Sequence, residues 1–192
     1  MIYTLYITMI PVILGGILNM LFTKTAFYQK HNYPIDSNLY LKDGKPLFGK
    51  NKTWIGFVSM ILFCIILQVL EGFICQIFNL NYLNYFYYIN ANKISFNILI
   101  GFLLGFSYMI CELPNSFIKR RIGIEPGNQG NGILKWIFII IDQIDSMIGV
   151  MMILYLFSNI TIIEYVIFVF IGALTHIFVN YILYFLKIRK QL

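Results

Sequence analysis

No charged side chain occurs before Lys24, and that absence constrains the fold more than any other feature of the chain. Residues 2–22 form an uncharged apolar run, and as a helix a run of about 20 residues crosses the roughly 30 Å of bilayer hydrocarbon. Comparable runs occupy residues 54–78, 94–112, 133–157 and 160–186. The predicted architecture is therefore an all-α integral membrane protein, one multi-pass domain over 1–192, with five transmembrane helices. Composition agrees: 59% of residues are hydrophobic and 11% are charged, where a soluble domain carries about 25% charged residues.

Cations set the expected orientation. Six follow the first run, four (Lys119, Arg120, Arg121, Lys135) follow the third, and Lys187, Arg189 and Lys190 close the chain, whereas the remaining loops hold Lys93 alone. The positive-inside rule then places the N-terminus outside, the C-terminus and two basic loops in the cytoplasm, and the protein in the cell membrane. A secretory signal carries basic residues before its apolar stretch; here they come after it, so the first run reads as a membrane span. Pro11 and Gly15-Gly16 within it predict a kink or close packing. Gly101 and Gly105, at small-xxx-small spacing, predict close approach of the third helix to a neighbour. Cys64, Cys75 and Cys111 fit neither a zinc spacing nor a disulfide framework. Glu71 reads as a buried hydrogen-bonding partner, His176 and Asn180 as interhelical hydrogen-bonding groups, and residues 79–93 as an interfacial aromatic belt and outer loop.

The stretch from Glu112 to Asp145 concentrates the chemistry. Charge within a membrane is costly and marks a functional site by default. Here Glu112 precedes Ser116, Lys119, Arg120 and Arg121; a glycine-rich loop follows, and then Asp142 and Asp145. Pro114 predicts a break in the third helix just after Glu112. The three adjacent cations suit a polyphosphate. Asp142 and Asp145, three residues apart, share one helix face. Two ionised carboxylates there repel and resist burial; a divalent cation relieves both costs, and oxygen ligands suit Mg2+. The competing reading is a protonated, structural pair. The polar segment 23–53 should be irregular with tight turns. It ends in Lys50-Asn51-Lys52-Thr53, just ahead of a helix, where lysines and helix N-terminal amides grip phosphate. Its bland alternative is an orienting basic loop.

Lys50-Asn51-Lys52-Thr53-Trp54, the Ser116-x-x-Lys119-Arg120-Arg121 element, Pro126-Gly127 and Asp142-Gln143-Ile144-Asp145 together resemble the CDP-archaeol synthase family, membrane relatives of phosphatidate cytidylyltransferase. The likeness runs from Pro34 through Asp145. It implies transfer of a cytidylyl group from CTP to a lipid phosphate with Mg2+, at a site facing the cytoplasm. On that reading Asp142 and Asp145, with Glu112 completing the shell, hold the metal. Lys119, Arg120 and Arg121 bind phosphates, and Ser116 donates to one. Lys50, Asn51, Lys52, Thr53, Pro126 and Gly127 contact substrate. The chain departs from the pattern in having Glu112 where an aspartate is common. Its loop between Pro126 and Asp142 is also longer than in phosphatidate cytidylyltransferases and lacks their histidine. Three other readings stand beside this one. A CDP-alcohol phosphotransferase needs several aspartates along two helices, and only one tight pair is present. Transporters often carry internal repeats, and five unequal spans show none. A structural membrane subunit would use the basic loops for orientation alone. The sequence leaves oligomeric state open, a homodimer included.

Overall fold

The computed structural model describes residues 1–187. Five helices are long and apolar enough to cross a membrane: α1 (Ile2–Phe22), α3 (Trp54–Ile77), α4 (Ile94–Arg121), α5 (Gly132–Phe157) and α6 (Ile162–Phe185). A six-residue helix, α2 (Ala26–His31), lies between the first two. Among the described residues there is no strand, only the isolated bridges Pro34↔Thr53 and Tyr40↔Pro46. Local chemistry explains several helix starts. Thr53 caps α3 by accepting from the Gly56 N–H at 3.2 Å. Thr161 and Glu164 form a capping box at the start of α6, which satisfies two otherwise orphaned N–H groups.

The helices pack in the order α1, α3, α4, α5, α6, so that α1 and α6 stand at the two ends of the row. Lipid tails are as apolar as leucine, so close packing is what holds such helices together. Glycines permit it. A Cβ on Gly101 would meet Ile65 Cα at 2.5 Å and one on Gly105 would meet Ile61 Cα at 2.6 Å, which draws α4 onto α3. Gly149 does the same for α5, where a Cβ would lie 2.7 Å from the Ser107 carbonyl oxygen of α4. Met60, Cys64, Ile100, Leu104, Val150, Leu154 and Phe168 fill the core between these seams.

Four spans agree with the sequence reading to within two residues, and the third does not. The α4 helix continues nine residues past Glu112, through Pro114, to Arg121. Proline removes a single i→i−4 hydrogen bond, and the turns on either side are held by packing against α3 and α5. Ser116, Lys119, Arg120 and Arg121 are therefore helical, and Lys135 sits in the first turn of α5. The cations assigned to a second basic loop stand on helices. The polar segment 23–53 is also more ordered than expected: the Thr25 hydroxyl accepts from the Tyr28 N–H at 3.2 Å and starts α2. Within the 79–93 segment Tyr82, Tyr88 and Ile89 are exposed, and other residues turn inward. Two 3-10 turns, Asn81–Leu83 and Tyr85–Tyr87, carry Phe86 and Asn84 into complete burial. The Tyr85 N–H donates to Thr8 of α1 at 3.0 Å, and Asn90 Nδ2 donates to the Phe86 and Phe157 carbonyls. The segment is thus a plug between helix ends. Arg189 and Lys190, which entered the expected orientation, lie outside the described residues.

Candidate active site

At the end of the bundle opposite this plug, the helices splay around a chamber of roughly 2220 Å3, including its open mouth. Asp142, Asp145, Glu112, Ser116, Lys119, Arg120, Lys50, Asn51, Lys52, Thr53, Pro126 and Gly127 all line it. Of the residues singled out in the sequence, Arg121 alone stands outside. The reason is helical geometry. Glu112, Asn115, Ser116 and Lys119 follow i, i+3, i+4 spacing and share one face of α4, whereas Arg121 points away. Its guanidinium bonds Asp43 and the Pro46 carbonyl, and Lys45 Nζ returns a 2.7 Å bond to the Arg121 carbonyl. Desolvation opposes the Asp43 charge, but the Lys45 N–H and the Arg121 guanidinium still hold its carboxyl below the usual range. Arg121 thus staples the 40–46 hairpin to the end of α4.

That hairpin continues into the segment that presents the lysines. Asp36 organises it: its carboxylate accepts from the N–H groups of Phe48 and Gly49 at 2.8 Å and of Asn38 at 3.1 Å. Gly49, at φ +93°, lets the loop pass so close to Pro126 that a Cβ would lie 2.6 Å from the proline ring. The Ile35 N–H bonds the Lys52 carbonyl at 2.8 Å, which aligns residues 50–53 ahead of α3. The Thr53 hydroxyl also meets Tyr28 Oη at 2.7 Å, tying α2 to the chamber wall.

The acidic pair lies ten residues into α5, about 15 Å along its axis. Asn115 spans it: Nδ2 donates to Asp142 Oδ1 at 2.6 Å and to Asp145 Oδ2 at 2.7 Å. Lys119 Nζ sits 2.6 Å from both Asp142 oxygens and 5.2 Å from the centre of the Phe138 ring. Lys52 pairs with Glu112. Desolvation works against the Lys52 charge, but Glu112, with Asp145 and Asp142 behind it, outweighs that effect and raises its pKa above the ordinary lysine value. Arg120 is 5% exposed; its Nε reaches the Ser116 carbonyl at 3.4 Å, and its Nη1 is buried with no hydrogen-bond partner. An unpaired buried guanidinium nitrogen is costly, and an anion entering the chamber relieves the cost. Asn115 was not recognised in the sequence, although its position one turn before Lys119 carries the signal. Tyr108, His176 and Asn180 also line the chamber. They do make interhelical hydrogen bonds, Tyr108 with His176 at 3.2 Å and Asn180 with Gln143 at 2.8 Å.

The donor chemistry fits a hard divalent cation. Asp142 and Asp145 supply carboxylate oxygens, and the Asn115 amide oxygen is buried without a hydrogen-bond partner. Magnesium accepts such a partial set and keeps its other positions for water or phosphate. Glu112 is engaged by Lys52, and among the described residues no three His, Cys, Asp or Glu side chains gather as one ligand group.

Membrane-length helices around a chamber of paired carboxylates and surplus cations define a multi-pass membrane protein suited to a polyanionic ligand. The sequence model of the family described as CarS-like CDP-archaeol synthase matches residues 2–191, and the chain belongs to that family. It is 28% identical over 167 residues to the CDP-archaeol synthase of Sulfolobus acidocaldarius, covering 86% of each chain. It is 31% identical over 130 residues to that of Pyrococcus furiosus, a match spanning 68% of this chain and 61% of the relative. A solved structure of an intramembrane enzyme for archaeal membrane lipids biosynthesis shares the fold, with a TM-score of 0.60, 21% identity and 91% coverage of both chains.

Proposed function

We propose that the chamber carries out the reaction for which the family is named: transfer of a cytidylyl group from CTP to a lipid phosphate, releasing pyrophosphate and a CDP-activated lipid. The observation that carries this reading is the burial of Lys119 and Arg120 beside a carboxylate pair in the chamber wall. Five cations (Lys24, Lys50, Lys52, Lys119, Arg120) and three carboxylates (Glu112, Asp142, Asp145) line the chamber. The surplus is cationic, as a triphosphate requires.

In the reaction a lipid phosphate oxygen attacks the α-phosphorus of CTP, and the bond to the β-phosphate oxygen breaks. A phosphate monoester is already largely ionised near neutral pH, so the nucleophile needs no general base. What this chain's residues contribute is positioning and charge. Arg120 directs its unpaired Nη1 to a phosphate oxygen, Ser116 donates to another, and Lys50 and Lys52 hold the far end of the triphosphate. Asp142 and Asp145, with the Asn115 amide oxygen, would hold magnesium, which supplies positive charge against the developing pyrophosphate. Lys119, which neutralises Asp142 in this structure, is freed for phosphate when that charge is met otherwise. The basic side chains cluster at the chamber end and Lys93 lies at the other, which supports a chamber open to the cytoplasm.

The test is incubation of the detergent-purified protein with radiolabelled CTP, Mg2+ and several lipid phosphates in parallel. Label should enter a lipid product with equimolar pyrophosphate. Absence of label from every lipid phosphate offered would overturn the reading.

A further inference from the structure

Because α1 and α6 are the two ends of the helical row, a crevice separates them, floored by Met147 and Met151 of α5. We propose that this crevice seats the hydrocarbon tail of the lipid substrate, while the nucleotide occupies the chamber. The proposal rests on the function just assigned and adds where the second substrate binds.

Three observations identify the occupant as an amphiphile with a phosphate head. First, the walls are apolar: Met9, Val12 and Ile17 on α1 face Ile171 and Val179 on α6. Methionine is unbranched and adapts to irregular chains. Second, the crevice is blind at one end and open into the chamber at the other. Beyond the blind end Tyr85 contacts both helices, its N–H donating to Thr8 of α1 and its ring 5.7 Å from that of Phe168 on α6. Tyr6 Oη and Thr175 Oγ1, 3.0 Å apart, strap α1 to α6. At the open end Met20, Tyr108, His176 and Asn180 line crevice and chamber alike. An apolar slot thus runs into a polar neck and then into a cationic chamber, in the order of tail, glycerol and phosphate. Third, the length suits a hydrocarbon tail. The crevice follows α1 from Leu5 to Met20, about 22 Å at 1.5 Å per residue. That exceeds the roughly 15 Å depth of one leaflet's hydrocarbon. The adjacent glycines divide their work accordingly. A Cβ on Gly15 would press on Cys64 Sγ at 3.0 Å, whereas one on Gly16 would meet nothing within 4 Å. Gly15 packs α1 onto α3, and Gly16 opens on the side of the crevice it lines.

The experiment narrows the crevice from either wall, with Ile17→Trp on α1 and Val179→Trp on α6, neither of which lines the chamber. KM for a long-chain lipid phosphate should rise at least tenfold in each variant. CTP binding, measured without lipid, and KM for a dihexanoyl lipid phosphate should stay within about twofold of the parent. In parallel, a long-chain lipid phosphate bearing a diazirine in its tail is photolysed with the unmodified protein, and labelled peptides should come from α1, α5 and α6. Equal loss on both chain lengths, no effect in either variant, labelling confined to the outer face of α3, or a dimer whose contact covers the crevice would each overturn the proposal. If no lipid phosphate accepts label from CTP, the assigned reaction falls instead. The photolabelling pattern still decides the crevice.

Discussion

The two ends of this bundle bury polar groups in different ways. At the plugged end Glu71 accepts from Gln68 Nε2 at 3.1 Å, and a chain of neutral groups continues outward: Tyr87 Oη donates to Asn97 at 2.9 Å, Asn97 to Asn92 at 2.8 Å, and Asn92 to the Gly72 carbonyl at 2.9 Å. No described cation pairs with Glu71. At the chamber end, carboxylates meet ammonium and guanidinium groups, and the cations outnumber them. At the plugged end Glu71 Oε1 and Gln68 Oε1 are buried without a hydrogen-bond partner, but the partners that are present are amides and hydroxyls from within the fold, and this arrangement serves packing. The chamber's surplus comes from the exposed Lys24 and Lys50, and among its buried cations Arg120 leaves Nη1 without a partner, a cost that an arriving counter-charge removes. The chamber is the end that asks for a ligand.

If this contrast is right, the largest effects belong to the acidic pair. Asp142→Asn and Asp145→Asn preserve shape but turn one acceptor oxygen into a donor and remove the charge that would hold a metal. Each should lower cytidylyl transfer by about a hundredfold or more; Asp142→Asn should also lower thermal stability in detergent, because the buried Lys119 ammonium loses its partner, whereas with Asp145→Asn stability should hold or rise. Near-normal turnover across rising Mg2+ would return the pair to a purely structural role, like that of Glu71.

Among the cations the effects should be graded. Arg120→Ala and Lys119→Gln should each lower turnover by about one to three orders of magnitude, as expected for the loss of a charge-assisted contact in the transition state. Lys119→Gln should also tighten Mn2+ binding measured by electron paramagnetic resonance in the absence of nucleotide, because the ammonium on Asp142 competes with the metal. Weaker Mn2+ binding would show that Lys119 supports the carboxylates without competing. Arg121→Ala should loosen the 40–46 hairpin only slightly, its ion pair with Asp43 being exposed. It should raise KM for CTP more than it lowers kcat. Lys135→Ala, at the start of α5, should leave both constants unchanged.

The smallest effect is expected at the plugged end. Glu71→Gln keeps an oxygen acceptor for Gln68 and removes a lone carboxyl from an environment of neutral partners. Turnover should stay within twofold and the thermal midpoint within a few degrees. A tenfold loss of turnover would mean that the two ends are coupled.

The sequence by itself determined the elements. Five apolar runs can bury their backbone polar groups in lipid only as helices, which is why four of the spans were legible to within two residues. Side-chain spacing along one helix was legible too: Asp142 and Asp145 share a face whatever surrounds them. The continuation of α4 through Pro114 was not legible, because the local cost of a proline is visible in sequence and the packing of α4 against α3 and α5 is not. Once α4 continues, spacing alone turns Arg121 away from Glu112, but only the tertiary structure could bring Asn115 across the carboxylates from another helix and set Lys52 on Glu112, 60 residues away. Both of these contacts depend on which helices are neighbours, decided by close approach at Gly101, Gly105 and Gly149. The gap between α1 and α6 is likewise a property of the helical row. Neither helix alone records that its apolar face lines a crevice, because lipid and protein are equally apolar partners for it.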